Sequence, residues 1–206
     1  MIYNNILYIA SNSSSRKRLL AAAQIPFFVI HQDADESKIS LDQSLYQIVQ
    51  QLAQFKMEHA QIPEGMHEGQ VCFVLTADTL GQVMTTGRVL TKPIDRDDAI
   101  SMLQQARSGT LTVTGFCLRK MIWVQGVWSV MEEVVDYDQA ESIFDVPDFA
   151  IDFYLQNIPF LSVSGAISIE EFGGQFLKKV DGNYETIVGL PMFKLRQALE
   201  KLNFYL

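Results

Sequence analysis

Ile6-Leu-Tyr-Ile-Ala10-Ser-Asn-Ser-Ser-Ser15-Arg-Lys-Arg-Leu-Leu20 is an apolar strand that runs into a hydroxyl-rich turn and opens a helix. Ser13 or Ser14 can cap free backbone N–H groups at the helix start, and Leu19 and Leu20 begin an apolar face. Arg16, Lys17 and Arg18 then stand in the first turn, where the helix is already partly positive, so three cations are unfavourable unless an anion sits among them. Free N–H groups, serine hydroxyls and a guanidinium converging on one spot make a phosphate site. A solvated basic turn is the competing reading of the same letters.

Downstream, the chain alternates strands with helices. Pro26 punctuates, and Phe27 to His31 is expected as a second strand, followed by the acidic turn Asp33-Ala-Asp-Glu36, itself compatible with a merely solvated loop. From Leu45 to Ala60 the apolar residues Leu45, Ile48, Val49 and Leu52 fall at helical spacing. Lys56 lies one turn further, on or beside that stripe, where a lysine ordinarily snorkels to water. Val71 to Thr79 has the pattern of a short buried strand ending at Asp78. Strand C-termini hold the ligands in α/β folds, so Asp78 is placed for acid or base chemistry, with turn capping as the alternative.

A hairpin from Gln82 to Leu90, turning near Gly87, delivers Lys92-Pro93 into a loop, where Lys92 alone would be a surface charge. Asp95 can cap a helix to about Ala106, with Ala99, Met102 and Leu103 inward. Leu111 to Leu118 and Ile122 to Val135 alternate as strands of one antiparallel unit that turns near Gln125-Gly126, with Phe116, Trp123 and Trp128 assigned to packing rather than to base stacking. Pro147 opens a helix to about Gln156. Gly165 to Gly174 is a glycine-bearing loop containing Glu170, which by itself could be a solvated acid. A strand from Gln175 to Val180, a turn at Asp181-Gly182-Asn183 and a last helix started by Val188-Gly-Leu-Pro191 complete the order. No repeat or linker interrupts residues 1–206, and the alternation indicates a single α/β domain with a mixed sheet.

With 206 residues and 48% hydrophobic content the chain can bury a core without disulfides, and Cys72 and Cys117, which lack metal-ligand spacing, are expected as reduced core thiols. A net charge of −8 argues against nucleic acid or an anionic membrane as partner, which makes the local basic cluster more informative. No charged leader with an apolar core and no bilayer-length apolar run is present, so a cytoplasmic location is expected.

G-x-x-x-x-G-K-[ST], G-x-G-x-x-G after a strand and G-x-S-x-G are all absent, and His31, His59 and His67 suggest no triad. What remains is the phosphate-like turn, Lys56 and Lys92, and the carboxylates Glu36 and Asp78. Cations to hold a polyphosphate, with carboxylates to hold a divalent metal or activate water, make a hydrolase acting on phosphoanhydrides.

Over nearly its whole length the chain resembles the Maf family of nucleoside triphosphate pyrophosphatases. The matching segments, in order, are Ala10-Ser11-Asn-Ser13-Ser-Ser-Arg16, Asp35-Glu36, Leu52-Ala53 with Lys56, Ala77-Asp78-Thr79, Lys92-Pro93, Thr114-Gly115 and Val188-Gly189-Leu190-Pro191. The resemblance implies an elongated mixed sheet flanked by helices, two lobes around a central cleft, and hydrolysis of a nucleoside triphosphate to monophosphate and pyrophosphate. It implies phosphate binding by Ser11, Ser13 and Arg16, active-site lysines at Lys56 and Lys92, a general base or metal-linked water activator at Asp78, and a second acid at Glu36. A Mg²⁺ or Mn²⁺ ion held by Asp78, Glu36 and phosphate oxygens is implied as cofactor, and a homodimer as assembly.

Two departures bear on substrate. Ser14 and Ser15 replace the proline and first arginine of the common family pattern, and Glu170 stands where pyrimidine-acting members have glutamine. Both point toward the YceF-type subgroup, which prefers 7-methyl-GTP; a glutamate can accept from the N1–H and N2–H of guanine, and its charge favours a cationic methylated ring. Against this, the subgroup has tryptophan at the place of Ser15, and Asp181-Gly-Asn-Tyr184 looks more like the pyrimidine-acting members. A dTTP/UTP pyrophosphatase is therefore the alternative substrate reading. A non-catalytic nucleotide-binding regulator of cell division is the alternative from another class, motivated by the arginine missing at Ser15.

Overall fold

A computed structural model describes residues 5–205. A seven-stranded mixed sheet is flanked by helices. Its strands are β1 (Ile6–Ile9), β2 (Phe28–Val29), β3 (Val71–Val83), β4 (Val89–Leu90), β5 (Thr110–Val124), β6 (Val127–Phe144) and β7 (Leu177–Asp181). They lie in the order β2-β1-β3-β5-β6-β7, with β4 pairing β3 off this path. β1 runs parallel to β2 and to β3, with Ile6 to Ile9 opposite Cys72 to Leu75, whereas β4 on β3 and β7 on β6 are antiparallel. The helices are α1 (Ser14–Ala22), α2 (Leu45–Glu58), α3 (Arg96–Ala106), α4 (Ile151–Gln156), α5 (Tyr184–Val188) and α6 (Met192–Lys201). No helix among the described residues is long and apolar enough to cross a membrane.

The chain divides into two compact units. The first comprises Met1–Asp78, Thr114–Asp138 and Gly189–Leu206, the second Thr79–Val113 and Gln139–Val188. In the first unit the period-2 alternation of β3 decides which helix meets which side chain. Phe73, Leu75 and Ala77 join Leu20 of α1 and Leu195 and Leu199 of α6 in one core, while Cys72 and Val74 join Ala53 and Met57 of α2 in another. By the same parity Thr76 and Asp78 belong to the α2 side. The Thr76 hydroxyl accordingly donates to the Ala53 carbonyl at 2.6 Å. Gly115 of β5 lets α2 come close, since a Cβ there would lie 2.8 Å from the Val49 carbonyl carbon. The second unit packs Ala99 and Leu103 of α3 against Phe144, Tyr154, Leu155, Ala166 and Ile169.

Several boundaries differ from expectation. β3 does not stop at Asp78 but continues to Val83, because Gly81 and Gln82 find partners in Leu90 and Val89. Asp78 nevertheless lies just beyond the parallel stretch, whose last pairing on β1 is Leu75. β2 is reduced to two exposed residues at a sheet edge. The expected strand from Gln175 starts at Leu177, the preceding Glu171–Phe176 forming a 3-10 turn, and the short α5 was not expected. The β5–β6 turn falls at Gln125-Gly126, both with positive φ, as the sequence indicates. Phe116 is fully buried, but Trp123 and Trp128 are half-buried and form their own edge-on pair with ring centroids 5.2 Å apart. Cys72 and Cys117 are buried free thiols.

Candidate active site

Residues of the first unit build a cluster of opposite charges. Ser13 caps α1, its hydroxyl accepting from the Arg16 N–H at 3.3 Å, and the Ser11 hydroxyl accepts from the Ser13 N–H at the same distance. Arg16 is half-buried, and its Nε donates to the Gly189 carbonyl at 2.7 Å and its Nη1 to Ser11 Oγ at 3.4 Å. Burial lowers the Arg16 pKa, and the nearby charges of Asp78 and then Glu36 oppose that shift. The serine turn, the guanidinium and both carboxylates thus share one electrostatic environment.

Lys56 sits at its centre. Ile48, Val49, Leu52, Ala53 and Met57 are the buried stripe of α2, and Lys56 belongs to it with 6% exposure, so it does not snorkel to solvent. Its ammonium donates to Asp78 Oδ1 and lies 3.0 Å from Glu36 Oε1. Asp78 is buried, whereas the Glu36 side chain is about half exposed. The turn carrying Glu36 is held by its neighbour: the Asp35 carboxylate accepts from both the N–H and the hydroxyl of Ser37, and those bonds hold the Asp35 carboxyl below its ordinary range. Of the Asp35-Glu36 pair, one residue shapes the turn and the other meets the lysine.

Lys17 is half-buried and Arg18 exposed. Lys92 and Glu170 belong to the second unit. Lys92 is exposed and forms no ion pair among the described residues, while Glu170 is half-buried and its carbonyl accepts from the Gly173 N–H at 3.0 Å. Sequence reasoning assigned no site role to Gly189, which it quoted only within a matching segment, or to Thr76. Gly189 contributes a carbonyl, which every residue has, although its φ of 123° explains why glycine stands there. The parity of β3 could have revealed Thr76.

Among the described residues no group of three or more histidine, cysteine or acidic side chains is gathered for a metal. Two carboxylates converging on one ammonium do fit a hard cation that takes one or two protein carboxylates and completes its shell with water and substrate phosphate. They do not fit an ion that needs an all-protein cage.

A parallel β–α start that gathers a serine turn, an arginine, a buried lysine and two acids defines a mixed-sheet α/β protein with a compact cluster of opposite charges in its first unit. The chain belongs to the Maf family: the family model described as Maf-like protein matches residues 6–202. It is 35% identical over 199 residues to a protein named nucleoside triphosphate pyrophosphatase from Chlamydia pneumoniae, covering 96% of this chain and 94% of the relative. It is 30% identical over 202 residues to a dTTP/UTP pyrophosphatase from Acholeplasma laidlawii (96% and 95% covered) and 32% identical over 199 residues to another from Halalkalibacterium halodurans (96% of each).

Proposed function

We propose that this protein hydrolyses a nucleoside triphosphate between its α- and β-phosphates, releasing the monophosphate and pyrophosphate. The carrying observation is the buried Lys56 ammonium shared by Asp78 and Glu36 in the same field as Arg16. Ser11, Ser13 and Arg16 bind phosphate oxygens. Lys56 and Lys92 neutralise charge that moves toward the leaving pyrophosphate, and Asp78 orients the attacking water in line with the α-phosphate. Glu36 competes for Lys56 and so tunes how much of that ammonium is available to substrate. A Mg²⁺ or Mn²⁺ ion held by Asp78 and Glu36 would supply further neutralisation of phosphate oxygens.

Glu170 supports 7-methyl-GTP as substrate, because its carboxylate can pair with guanine donors and favours a cationic ring. Several relatives named dTTP/UTP pyrophosphatase support the pyrimidine reading. A panel of 7-methyl-GTP, dTTP and UTP with Mg²⁺ or Mn²⁺ separates them, with pyrophosphate release as readout. Asp78→Asn, which can still accept from Lys56, is expected to lower kcat on the order of 10²–10⁴-fold with the fold intact. Undiminished release by that variant, or no release from any nucleotide by the parent, overturns the activity; tight binding without turnover would instead identify a regulator.

A further inference from the structure

The stretch 165–173, on which Glu170 sits, is held by an unusual amount of fixed structure for a loop. Tyr154 of α4 is fully buried, its ring packed edge-on against Phe144 and Phe176 with centroids 5.6 and 5.4 Å away. Its hydroxyl leaves that core to make two bonds to the loop: it donates to the Ala166 carbonyl at 2.9 Å and accepts from the Ser168 N–H at 2.8 Å. Burial pushes the Tyr154 pKa up, so the donating proton stays in place across the ordinary pH range. On the far side of Ser168, the Tyr184 hydroxyl donates to the Ile169 carbonyl at 3.3 Å. Gly173 closes the loop, for a Cβ there would fall 1.6 Å from the Ser168 carbonyl oxygen.

The loop's other end is tied to the segment bearing Lys92. The Gly165 N–H donates to the Thr91 carbonyl at 2.8 Å, and the Ser164 hydroxyl donates to the Leu90 carbonyl at 2.5 Å. Lys92 follows directly. We propose that Tyr154 is a positioning residue for substrate selection: through Ala166 and Ser168 its hydroxyl fixes Glu170, and through Gly165 the same clamp fixes Glu170 relative to Lys92. The second unit then presents a base-contacting carboxylate and a phosphate-contacting ammonium at a set separation, so that a base is judged by whether it reaches Glu170 while its phosphates reach Lys92. This inference rests on the reading of Glu170 as the base contact. Holding a recognition group by a rigid second layer is what converts a contact into discrimination, because a carboxylate free to move adapts to the wrong base.

The test measures kcat/KM for 7-methyl-GTP and dTTP in the parent, Tyr154→Phe, Glu170→Ala and the double variant, with thermal unfolding recorded for each. Tyr154→Phe keeps the packed ring and removes only the hydroxyl. It is expected to move the ratio of the two kcat/KM values toward unity by about tenfold, mainly through KM, yet by less than about twofold when added to Glu170→Ala. Equal slowing of both nucleotides, or the same loss in the Glu170→Ala background, would show a merely structural role and overturn the clamp. Glu170→Ala with the parental ratio would overturn the base reading itself, and the clamp with it. Should Tyr154→Phe not fold, Tyr184→Phe carries the same test at a partly exposed tyrosine: a smaller shift in the same direction supports the clamp, and an unmoved ratio refutes it.

Discussion

At Lys56 a charged side chain with 6% exposure is held between two acids of unequal burial, and this inequality governs what its removal does. Lys56→Met fits the apolar stripe of α2 but leaves the Asp78 carboxylate buried without its ammonium, a loss expected to cost about 1–3 kcal/mol after partial relief by the nearby Arg16 charge. Adding Asp78→Asn should recover a large part of that cost, and urea denaturation of the two single variants and the double one measures the non-additivity. Strict additivity would mean that the pair does not interact. Arg16 allows a second residue-scale prediction. Its fork serves Gly189 and Ser11 from different nitrogens, which one ammonium cannot imitate, so Arg16→Lys should raise KM about tenfold with a smaller change in kcat. At this scale the sequence revealed the residue types but not their partners. Lys56 could be placed near the apolar stripe of α2, but whether it snorkelled or stayed in depended on a carboxylate 22 positions away.

Among the elements, α2 and β3 carry the site because a period of 3.6 on one meets a period of 2 on the other. Thr76 and Asp78 share a face of β3, Ala53 and Lys56 lie within one turn of α2, and the hydrogen bond from Thr76 to Ala53 fixes the register of the ion pair between the other two. Gly115 sets how near α2 stands. Gly115→Ala would put a methyl against the Val49 backbone, which cannot rotate away as a side chain can, and is expected to destabilise by about 1–3 kcal/mol. It should also lower kcat at unchanged protein concentration, because α2 moves with Lys56 on it; loss of stability with full turnover would show that the register survives the shift. Helices with caps were plain in the sequence, as Asp95 before α3 and Ser13 before α1 illustrate. The hairpin from Gln82 to Leu90 was legible as well, and Gln82 does pair with Val89; what stayed hidden is that β3 runs unbroken from Val71 into that hairpin, because Gly81 and Gln82 end the apolar run before the strand ends. The 3-10 turn at Glu171–Phe176 was hidden too: Gly173 stands where a Cβ would fall 1.6 Å from the Ser168 carbonyl oxygen, a clearance that composition does not display.

Across the whole molecule the order of strands and helices follows from hydrophobic pattern, whereas the division into two units does not, because β3, β5 and β6 each contribute to both and the boundaries fall inside continuous strands. Two thiols offer a global readout of the first unit. Cys72 and Cys117 lie on neighbouring central strands, fully buried, and burial pushes Cys72 from its ordinary value of 9.0 to about 12 and Cys117 upward as well, the latter helped by Glu133. A folded pKa above the unfolded one means that the unfolded chain gives up the proton first. The contribution of each thiol is therefore complete below about pH 9 and is lost as pH climbs through the folded value, with a slope of up to about 1.4 kcal/mol per pH unit per thiol. Urea midpoints for the parent and for Cys72→Ala at pH 8 and pH 10 isolate this from tyrosine and lysine titrations common to both. The variant starts lower because a packed sulfur is gone, but it should lose less stability between the two pH values. Parallel losses in parent and variant would mean that Cys72 titrates in the folded chain as it does in the unfolded one, and that the α2-side core holding Val74 and Met57 admits water.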